Sequence, residues 1–449
     1  MRVPDTIPQA PGGVPLLGHT LPVLRDPFAF LTSLPAGADL VRVRIGPVQA
    51  ILVCDPELTW QVLHDDRTFD KGGPIADRAR EVLGNGVATC PHSEHRRQRR
   101  LIQPAFGQAR LPGYARIMAE QINAMTGSWH DGRVLDVMAE MSALTARTVT
   151  AALLSSALPP QVIRDSADDV GTLFQGIYHR MLAPALLNRL PTRGNRRYMR
   201  ASDRLRATFG AVIADRRGDS ADRGDLLSAL LIASREEDSA RGRGLSDTEL
   251  VDQALTFLLA GVESTAALLS WTLHVLALHP DVEAGLHSEV DAVLDGAPAE
   301  FEHLPRLALT HRVIRETLRL YPPGWLLTRK ATADVRLGGH LVRAGTNVFY
   351  SPFLVQRSGG LYPDPERFDP GRWDDTQRDP PPRNAFIAFS GGARQCIGDR
   401  FSGVEAALAL ATVTARWRLE HLPGQRVTLA KTTTLRPHGL FMRTTARTP

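Results

Sequence analysis

The feature that most limits how this chain can fold is one long helical pattern near its middle. Ser246 and Glu249 have the spacing of a capping box, and the apolar pattern that follows continues as far as His279 and Pro280. About thirty residues at helical rise span about 50 Å, so the helix must cross the whole molecule. A membrane span is the alternative. A buried central helix is favoured because polar side chains interrupt the run, namely Glu263, Ser264, Thr265, Ser270 and His274.

Short strands are predicted on either side of this helix. Residues 40–45 alternate in polarity, turn at Gly46 and Pro47 and resume at 51–53, which is typical of a hairpin. Residues 335–342 repeat the pattern around two glycines. We therefore predict a mainly α fold with small β-sheets in one domain, 1–449. Its β-rich portions are placed at about 35–70, 325–350 and a C-terminal hairpin, and its helical portions at about 75–320 and 395–420.

Composition excludes several classes of protein. The chain is 43% hydrophobic and 22% charged, as in soluble globular proteins. Its net charge of +5 is spread along the chain, so no nucleic-acid surface is predicted. Three cysteines cannot form a disulfide framework and match no zinc site.

Prolines and glycines interrupt the apolar residues at the amino terminus. We therefore expect neither a signal peptide nor a membrane anchor, and we predict a cytoplasmic location.

The segment from Phe389 to Gly398 is the sharpest chemical signal. Its glycines allow a close turn around Cys396, and a helix predicted from about Asp399 would point its positive end at the sulfur and favour the thiolate. An inert buried thiol is the usual alternative for a lone cysteine. The segment resembles the cysteine loop of the cytochrome P-450 family, whose recurring residues match Phe389, Gly392, Arg394, Cys396 and Gly398. In that family the cysteine thiolate is the axial ligand of haem iron.

A second motif supports the resemblance. Glu316 and Arg319 share a helix face, which by itself is typical of a surface ion pair. These two residues are followed by two Pro-containing segments and then by the cysteine loop, and this order is similar to that of the family. The resemblance places Arg372 as the third member of a Glu-Arg-Arg network that holds the core around the haem.

The middle of the long helix carries a third motif. A carboxylate buried in an apolar helix is energetically unfavourable unless it is paired with another group or has a function. The structural alternative is a kink in the helix, with water satisfying the polar groups there. The family has an acid and an alcohol here that relay protons to dioxygen, which implies roles for Glu263 and Ser264. The usual alcohol is threonine, so the choice between Ser264 and Thr265 stays open.

A basic segment, HRRQRR, resembles the helix that binds the haem propionates. The resemblance implies that His95 and Arg99, one turn apart, bind them together with Arg394 and Arg329. A solvated basic face is the alternative for the other arginines of the segment. We predict that Arg96 and Arg97 belong to a cationic surface where an acidic ferredoxin docks.

The resemblance implies a monomeric monooxygenase that binds haem b, uses O₂ and receives electrons from NAD(P)H through ferredoxin reductase and ferredoxin. Stretches 68–74, 90–106 and 350–373 are most similar to bacterial family members that oxidise sesquiterpenes such as pentalenene, which implies oxidation of a methyl group to the alcohol and aldehyde. The alternatives are another lipophilic substrate, peroxide-driven chemistry or isomerisation on the same scaffold, and a haem-binding sensor or carrier. The predicted pocket residues are Ile75, Leu255, Leu258, Leu259, Trp325, Leu326, Leu327 and Leu435.

Overall fold

The structure is a computed structural model that describes residues 7–35, 37–155, 158–182, 185–219, 221–376, 381–430 and 432–447. The helices of the described residues are α1 Thr20–Arg25, α2 Pro27–Thr32, α3 Pro56–His64, α4 Pro74–Leu83, α5 His92–Ile102, α6 Leu111–Gly127, α7 Val137–Leu154, α8 Pro160–Leu182, α9 Ala185–Arg189, α10 Arg193–Arg216, α11 Leu226–Arg241, α12 Asp247–Leu276, α13 Pro280–Leu294, α14 Ala308–Leu320, α15 Pro352–Val355 and α16 Asp399–Arg416. The strands are β1 Leu40–Ile45, β2 Val48–Val53, β3 Phe69–Asp70, β4 Val134–Asp136, β5 Leu327–Ala331, β6 Val335–Leu337, β7 His340–Val342, β8 Asn347–Tyr350, β9 Trp417–His421, β10 Thr428–Leu429, β11 Pro437–His438 and β12 Phe441–Ala446. The predicted mainly α fold with small sheets is confirmed.

The strands form a five-stranded sheet in the order β1-β2-β8-β5-β3 and smaller sheets elsewhere. Both predicted hairpins are confirmed, since β1 pairs antiparallel with β2 and β6 with β7. The range 35–70 is not strand throughout, because α3 lies within it. Asp55 caps that helix by accepting the backbone N–H of Leu58 at 2.8 Å, and Pro56 fits its first turn.

The long helix is α12, and its capping box of Ser246 and Glu249 is confirmed. It ends at Leu276, before the predicted end at His279, because Pro280 begins the next helix. Both α12 and its main packing partner α7 are long and apolar enough to cross a membrane, but most of each is buried inside the protein. They approach closely at Gly261, where a Cβ atom would lie 2.8 Å from a methyl carbon of Val149.

A buried charge network connects α14 to the segment that precedes the cysteine loop. Glu316 accepts hydrogen bonds from the Arg319 guanidinium at 2.8 and 2.9 Å and from the indole N–H of Trp373 at 2.8 Å, and Arg372 lies 3.4 Å away. Neither Glu316 nor Arg319 has exposed surface. The network thus fixes the chain around Trp373 to α14.

The same arginine also organises neighbouring backbone. Arg319 donates to the carbonyl oxygens of Gln356 at 2.9 Å, Pro365 at 2.6 Å and Arg367 at 3.0 Å. The side-chain oxygen of Gln356 then accepts the backbone N–H of Ile387 at 3.0 Å. Ile387 lies two residues before Phe389, so the network sets where the cysteine loop begins.

Glu316→Gln should lower the free energy of unfolding by about 3–5 kcal/mol, because it leaves the buried Arg319 charge without its counter-ion. Asp334→Asn is the matched control, since it removes one carboxylate from the exposed pair of Asp334 and Arg343. Denaturant unfolding followed by circular dichroism measures both changes. Equal stability of the two variants would contradict a central role for the network.

Candidate active site

Cys396 lies between a 3-10 turn, Gly392–Arg394, and the start of α16. Its backbone N–H donates to the carbonyl oxygen of Phe389 at 2.9 Å, which closes the loop. Gly392 has a φ of +64°, and a Cβ atom there would lie 2.3 Å from the carbonyl oxygen of Leu63, so only glycine allows the loop to pack against α3. The Cys396 side chain is exposed, whereas Cys90 is buried.

The Cys396 thiol reaches open space on one side and is surrounded by protein on the others. This desolvation raises the pKa of Cys396, while the backbone N–H of Gly398 acts in the opposite direction. A cationic metal on the open side would favour the thiolate and overcome the desolvation. The thiol therefore fits the role of an axial ligand to haem iron.

Positive side chains cluster near this loop. Arg329 is 1% exposed, and its Nε and Nη2 atoms have no hydrogen-bond partner within the described part of the chain. Burial, followed by the charges of Arg329 and Arg394, holds the pKa of Lys71 well below its usual value. Burial, followed by the charge of Arg394, lowers the pKa of His95 to about 3. Buried basic side chains, of which Arg329 keeps two unpartnered donor atoms among the described residues, fit the two propionate groups of a porphyrin.

Lys71 also belongs to this cluster, although no motif in the sequence pointed to it. The available signal was that Lys71 is one of only three lysines in a chain whose other basic residues are arginines. Arg394 is partly neutralised, since it donates to Asp70 at 2.9 Å and to the carbonyl oxygen of Cys90 at 2.9 Å. The structure thus brings His95, Arg329 and Arg394 together.

Arg99 has a different set of contacts. Its guanidinium donates to the carbonyl oxygen of Gln395 at 2.6 Å and to the side chain of Gln103 at 2.8 Å. Arg99 therefore supports the backbone next to Cys396, and its predicted contact with a propionate stays a prediction.

The predicted docking surface is smaller than expected. Arg97 forms ion pairs with Glu94 and Glu249, so this residue is not free for a partner, whereas Arg96 is exposed. A surface cavity of about 830 Å³ is lined by Arg96, Arg99 and Ala393, among others. The surface around Arg96 therefore adjoins the cysteine loop, to which Ala393 belongs.

The middle of α12 presents its polar residues to different sides. Ser264 is partly accessible and donates to the carbonyl oxygen of Ala260 at 2.5 Å, and Ala260 is exposed. Thr265 is 2% exposed and its hydroxyl has no partner among the described residues. Glu263 is buried and lies 3.2 Å from the guanidinium of Arg436. The accessible hydroxyl of this motif is therefore that of Ser264.

Five of the eight predicted pocket residues are buried, and their place in a substrate pocket stays a prediction. Leu255, Leu258, Leu259 and Leu435 are at most 2% exposed, so none has free surface for a ligand in this conformation. Trp325 is also packed in the core, where its indole N–H donates to the carbonyl oxygen of Thr432 at 3.2 Å. The leucines of α12 are covered because most of this helix is buried inside the protein. The predicted pocket residues that keep accessible surface are Ile75, Leu326 and Leu327.

The family model that matches this chain is that of cytochrome P-450, and the match covers residues 8–445. The chain belongs to the cytochrome P-450 family. It is a monooxygenase of that family, which uses haem b and O₂ and receives electrons from NAD(P)H through redox partners.

Several P-450 relatives are similar over nearly the whole chain. Pentalenene oxygenase of Streptomyces avermitilis is 45% identical over 441 residues, which are 98% of this chain and 97% of that protein. Cyclooctat-9-en-7-ol 5-monooxygenase of Streptomyces melanosporofaciens is 46% identical over 422 residues, which are 94% of this chain and 91% of that protein. The solved haem domain of cytochrome P-450DA has a TM-score of 0.87 and 27% identity, and the match covers 99% of this chain and 98% of that one.

Arg329→Met should speed the loss of haem about tenfold, because a buried cation with free donors would no longer bind a propionate. Lys330→Met is the matched control, since Lys330 is the next residue along the chain and its side chain is exposed. Transfer of haem to apomyoglobin, followed optically, measures the rates. Equal rates in the two variants would remove Arg329 from the haem site.

Proposed function

We propose that this P-450 oxidises a sesquiterpene, with pentalenene as the first candidate, at a methyl group to the alcohol and then to the aldehyde. The observation that carries the proposal is the 45% identity to pentalenene oxygenase over 441 residues. A second relative, at 46% identity, is named for oxidation of cyclooctat-9-en-7-ol, so another lipophilic substrate is the alternative. We further propose that the enzyme works in the cytoplasm with a ferredoxin as its electron donor.

Four accessible apolar residues of the proposed site support an apolar substrate. Ala260, Ile75, Leu326 and Leu327 offer apolar surface, and a hydrocarbon gains by leaving water without needing hydrogen bonds. Shape then has to orient the methyl group. When bound, haem supplies the oxidising power that places one atom of O₂ into a C–H bond, while the other atom leaves as water.

The protein's own contribution is to hold the iron ligand and to move protons. Cys396 is the proposed thiolate ligand, and the loop bonds from Phe389 and Arg99 fix its position. Ser264 is the proposed hydroxyl for proton transfer, because it alone in this motif is both polar and accessible. Glu263 is the proposed proton source behind it.

Ferredoxin is proposed to dock where α5 meets the cysteine loop. Arg96 is exposed there, whereas the charge of the exposed Arg100 is offset by its ion pair with Glu237. Positive charge at this surface would attract an acidic protein and speed its association. The bond from Arg99 to Gln395 gives this surface a direct connection to the backbone beside Cys396.

Pentalenene should shift the optical spectrum of the ferric protein from low to high spin, because a hydrocarbon displaces water from the site. With ferredoxin, ferredoxin reductase and NADPH, the alcohol and aldehyde should appear together with O₂ consumption. Cys396→Ala is the control and should give neither the thiolate spectrum nor product. A normal thiolate spectrum with no shift and no product would reject pentalenene, and binding without O₂ consumption would favour a sensor or carrier.

The two neighbouring hydroxyls can be separated by Ser264→Ala and Thr265→Val, each of which removes one hydroxyl and keeps the side chain small. Ser264→Ala should lower product formed per NADPH by about tenfold or more, with hydrogen peroxide formed instead, because a positioned proton donor is lost. Thr265→Val should have a much smaller effect, since that hydroxyl is buried and unpartnered. Product and peroxide assays measure both, and the reverse order would assign the role to Thr265.

A further inference from the structure

The outer face of α10 carries a row of positive side chains that the proposed function does not use. This arginine row lines a surface cavity of about 350 Å³, and its exposed members are Arg193, Arg196, Arg197, Arg200 and Arg204. Their spacing of i, i+3, i+4, i+7 and i+11 places them on one face of the helix. The opposite face is packed in the core, since Tyr198, Leu205 and Phe209 are at most 3% exposed. The row is therefore a solvent-facing surface on a firmly packed helix.

Most of the positive charge in the arginine row is not neutralised by the protein. Arg204 forms an ion pair with Asp169, whereas the other four members form none within the described part of the chain. Asp203 is the one acidic residue between Arg193 and Arg204 in the sequence. Like charges three and four residues apart on a helix repel one another and destabilise it. An anionic partner along the row would relieve this repulsion.

Large apolar side chains lie exposed beside the row. Leu187 is 50% exposed on α9, Leu190 is 44% exposed just before α10, and Met199 is 50% exposed on α10 itself. A single exposed leucine on a protein surface is ordinary. Three such side chains next to a row of arginines give the surface an amphipathic character, which is typical of proteins that bind at a membrane interface.

The segment that carries the two leucines is held in a fixed position. The side-chain amide of Asn195 donates to the carbonyl oxygens of Leu187 at 2.9 Å and Leu190 at 2.8 Å. Thr192 caps α10 by accepting the backbone N–H of Asn195 at 3.1 Å. The leucines are therefore presented by an ordered turn, so binding a partner here requires little further ordering of the chain.

Arg180 connects this surface to the proposed substrate site. It lies near the end of α8, where it donates to the side-chain oxygen of Asn195 at 3.0 Å and to Glu81 of α4 at 3.1 Å. α4 also carries Ile75, one of the accessible apolar residues of the proposed site. A membrane bound along α10 would hold a phase that dissolves hydrocarbons close to the helix that carries Ile75.

The two kinds of exposed side chain indicate the kind of partner. Guanidinium groups bind phosphate oxygens in a bidentate way, and leucine side chains gain free energy by leaving water for hydrocarbon. A membrane with anionic headgroups offers both. A nucleic acid also offers phosphates, but its bases stack on aromatic side chains, and Tyr198, the one aromatic residue in 187–204, is buried. The surface therefore fits an anionic membrane better.

We propose that the arginine row, with Leu187, Leu190 and Met199, is a peripheral binding surface for membranes that contain anionic phospholipids. The arginines contact headgroup phosphates, and the three apolar side chains enter the boundary between headgroups and acyl chains. Attachment is reversible, and no helix crosses the bilayer. The inference does not rest on the proposed substrate, because binding to vesicles requires no turnover.

The first test is sedimentation of the haem-loaded protein with vesicles. Vesicles of phosphatidylglycerol and phosphatidylcholine should bind it, and vesicles of phosphatidylcholine alone should bind it far more weakly. The triple variant Arg196→Gln, Arg197→Gln and Arg200→Gln should bind the anionic vesicles about a hundredfold more weakly, because each basic side chain near an anionic surface contributes about fivefold. Equal binding to the two kinds of vesicle would overturn the proposal.

The matched control removes the same charge from exposed arginines elsewhere, and its substitutions are Arg336→Gln, Arg426→Gln and Arg443→Gln. It should bind anionic vesicles within a few-fold of the parent protein. Equal loss in the two triple variants would show that net charge alone is responsible, and the arginine row would then have no special role. The haem spectrum and thermal unfolding of both variants should match those of the parent protein, since the substituted side chains are exposed.

The apolar side chains are tested separately. Leu187→Ser with Leu190→Ser should weaken vesicle binding about tenfold and remove the binding that persists at high salt, because burial of apolar surface is not screened. Leu278→Ser with Leu341→Ser is the matched control, since these leucines are similarly exposed, at 55% and 45%. Equal binding by the two double variants would overturn the membrane assignment.

An acidic protein or RNA is the other partner that the arginine row could bind. The parent protein and the arginine triple variant are therefore also compared for binding to ferredoxin and to RNA. If the triple variant loses one of these partners and keeps the vesicles, then the surface serves that partner and the proposal is wrong. Terpene oxidation in solution without vesicles should be the same in both proteins, so failure of the proposed function is seen separately.

Discussion

The buried pairing of Glu316 with Arg319 is the interaction on which the rest of the site depends. Two full charges without exposed surface are tolerable only if each is neutralised and hydrogen-bonded. Arg319 meets this requirement by binding three backbone carbonyl oxygens as well as Glu316, and so fixes segments distant in sequence. Through Gln356 the same network reaches Ile387, just before the cysteine loop. The position of Cys396 is therefore a consequence of charge burial elsewhere.

The residues proposed to hold haem are suited to a group that carries two carboxylates and a metal ion. The Nε and Nη2 atoms of Arg329 have no hydrogen-bond partner among the described residues, and burial, followed by the charges of Arg329 and Arg394, lowers the pKa of Lys71. On the other side, desolvation raises the pKa of the Cys396 thiol. Two propionates and one iron ion would offset both unfavourable features together. We therefore expect the protein's stability to depend strongly on haem, because a ligand that binds only the folded state stabilises it.

The central helix α12 is part of the core and also carries the residues proposed to transfer protons. Its apolar residues are mostly buried, and between residues 252 and 273 the side chains and backbone that keep accessible surface are those of Ala260, Gly261 and Ser264. Glu263 turns away from that side toward Arg436, whose loop is anchored by Trp271 of the same helix. A helix with one narrow accessible side can place a hydroxyl accurately, because close packing leaves its backbone little freedom.

The sequence by itself determined the features that neighbours along the chain decide: the capping box and length of α12, both hairpins, the mainly α fold and the cysteine loop with its following helix. Capping, turns and helical periodicity act over a few residues, so a local pattern is sufficient to predict them. Only the tertiary structure decided which hydroxyl is accessible, that Leu255 and Leu435 are covered, and that Lys71 joins the cation cluster. It also paired Arg97 with Glu249, 152 residues away, and Arg436 with Glu263. These outcomes depend on contacts between distant segments, and such contacts leave no periodic signal in a single sequence.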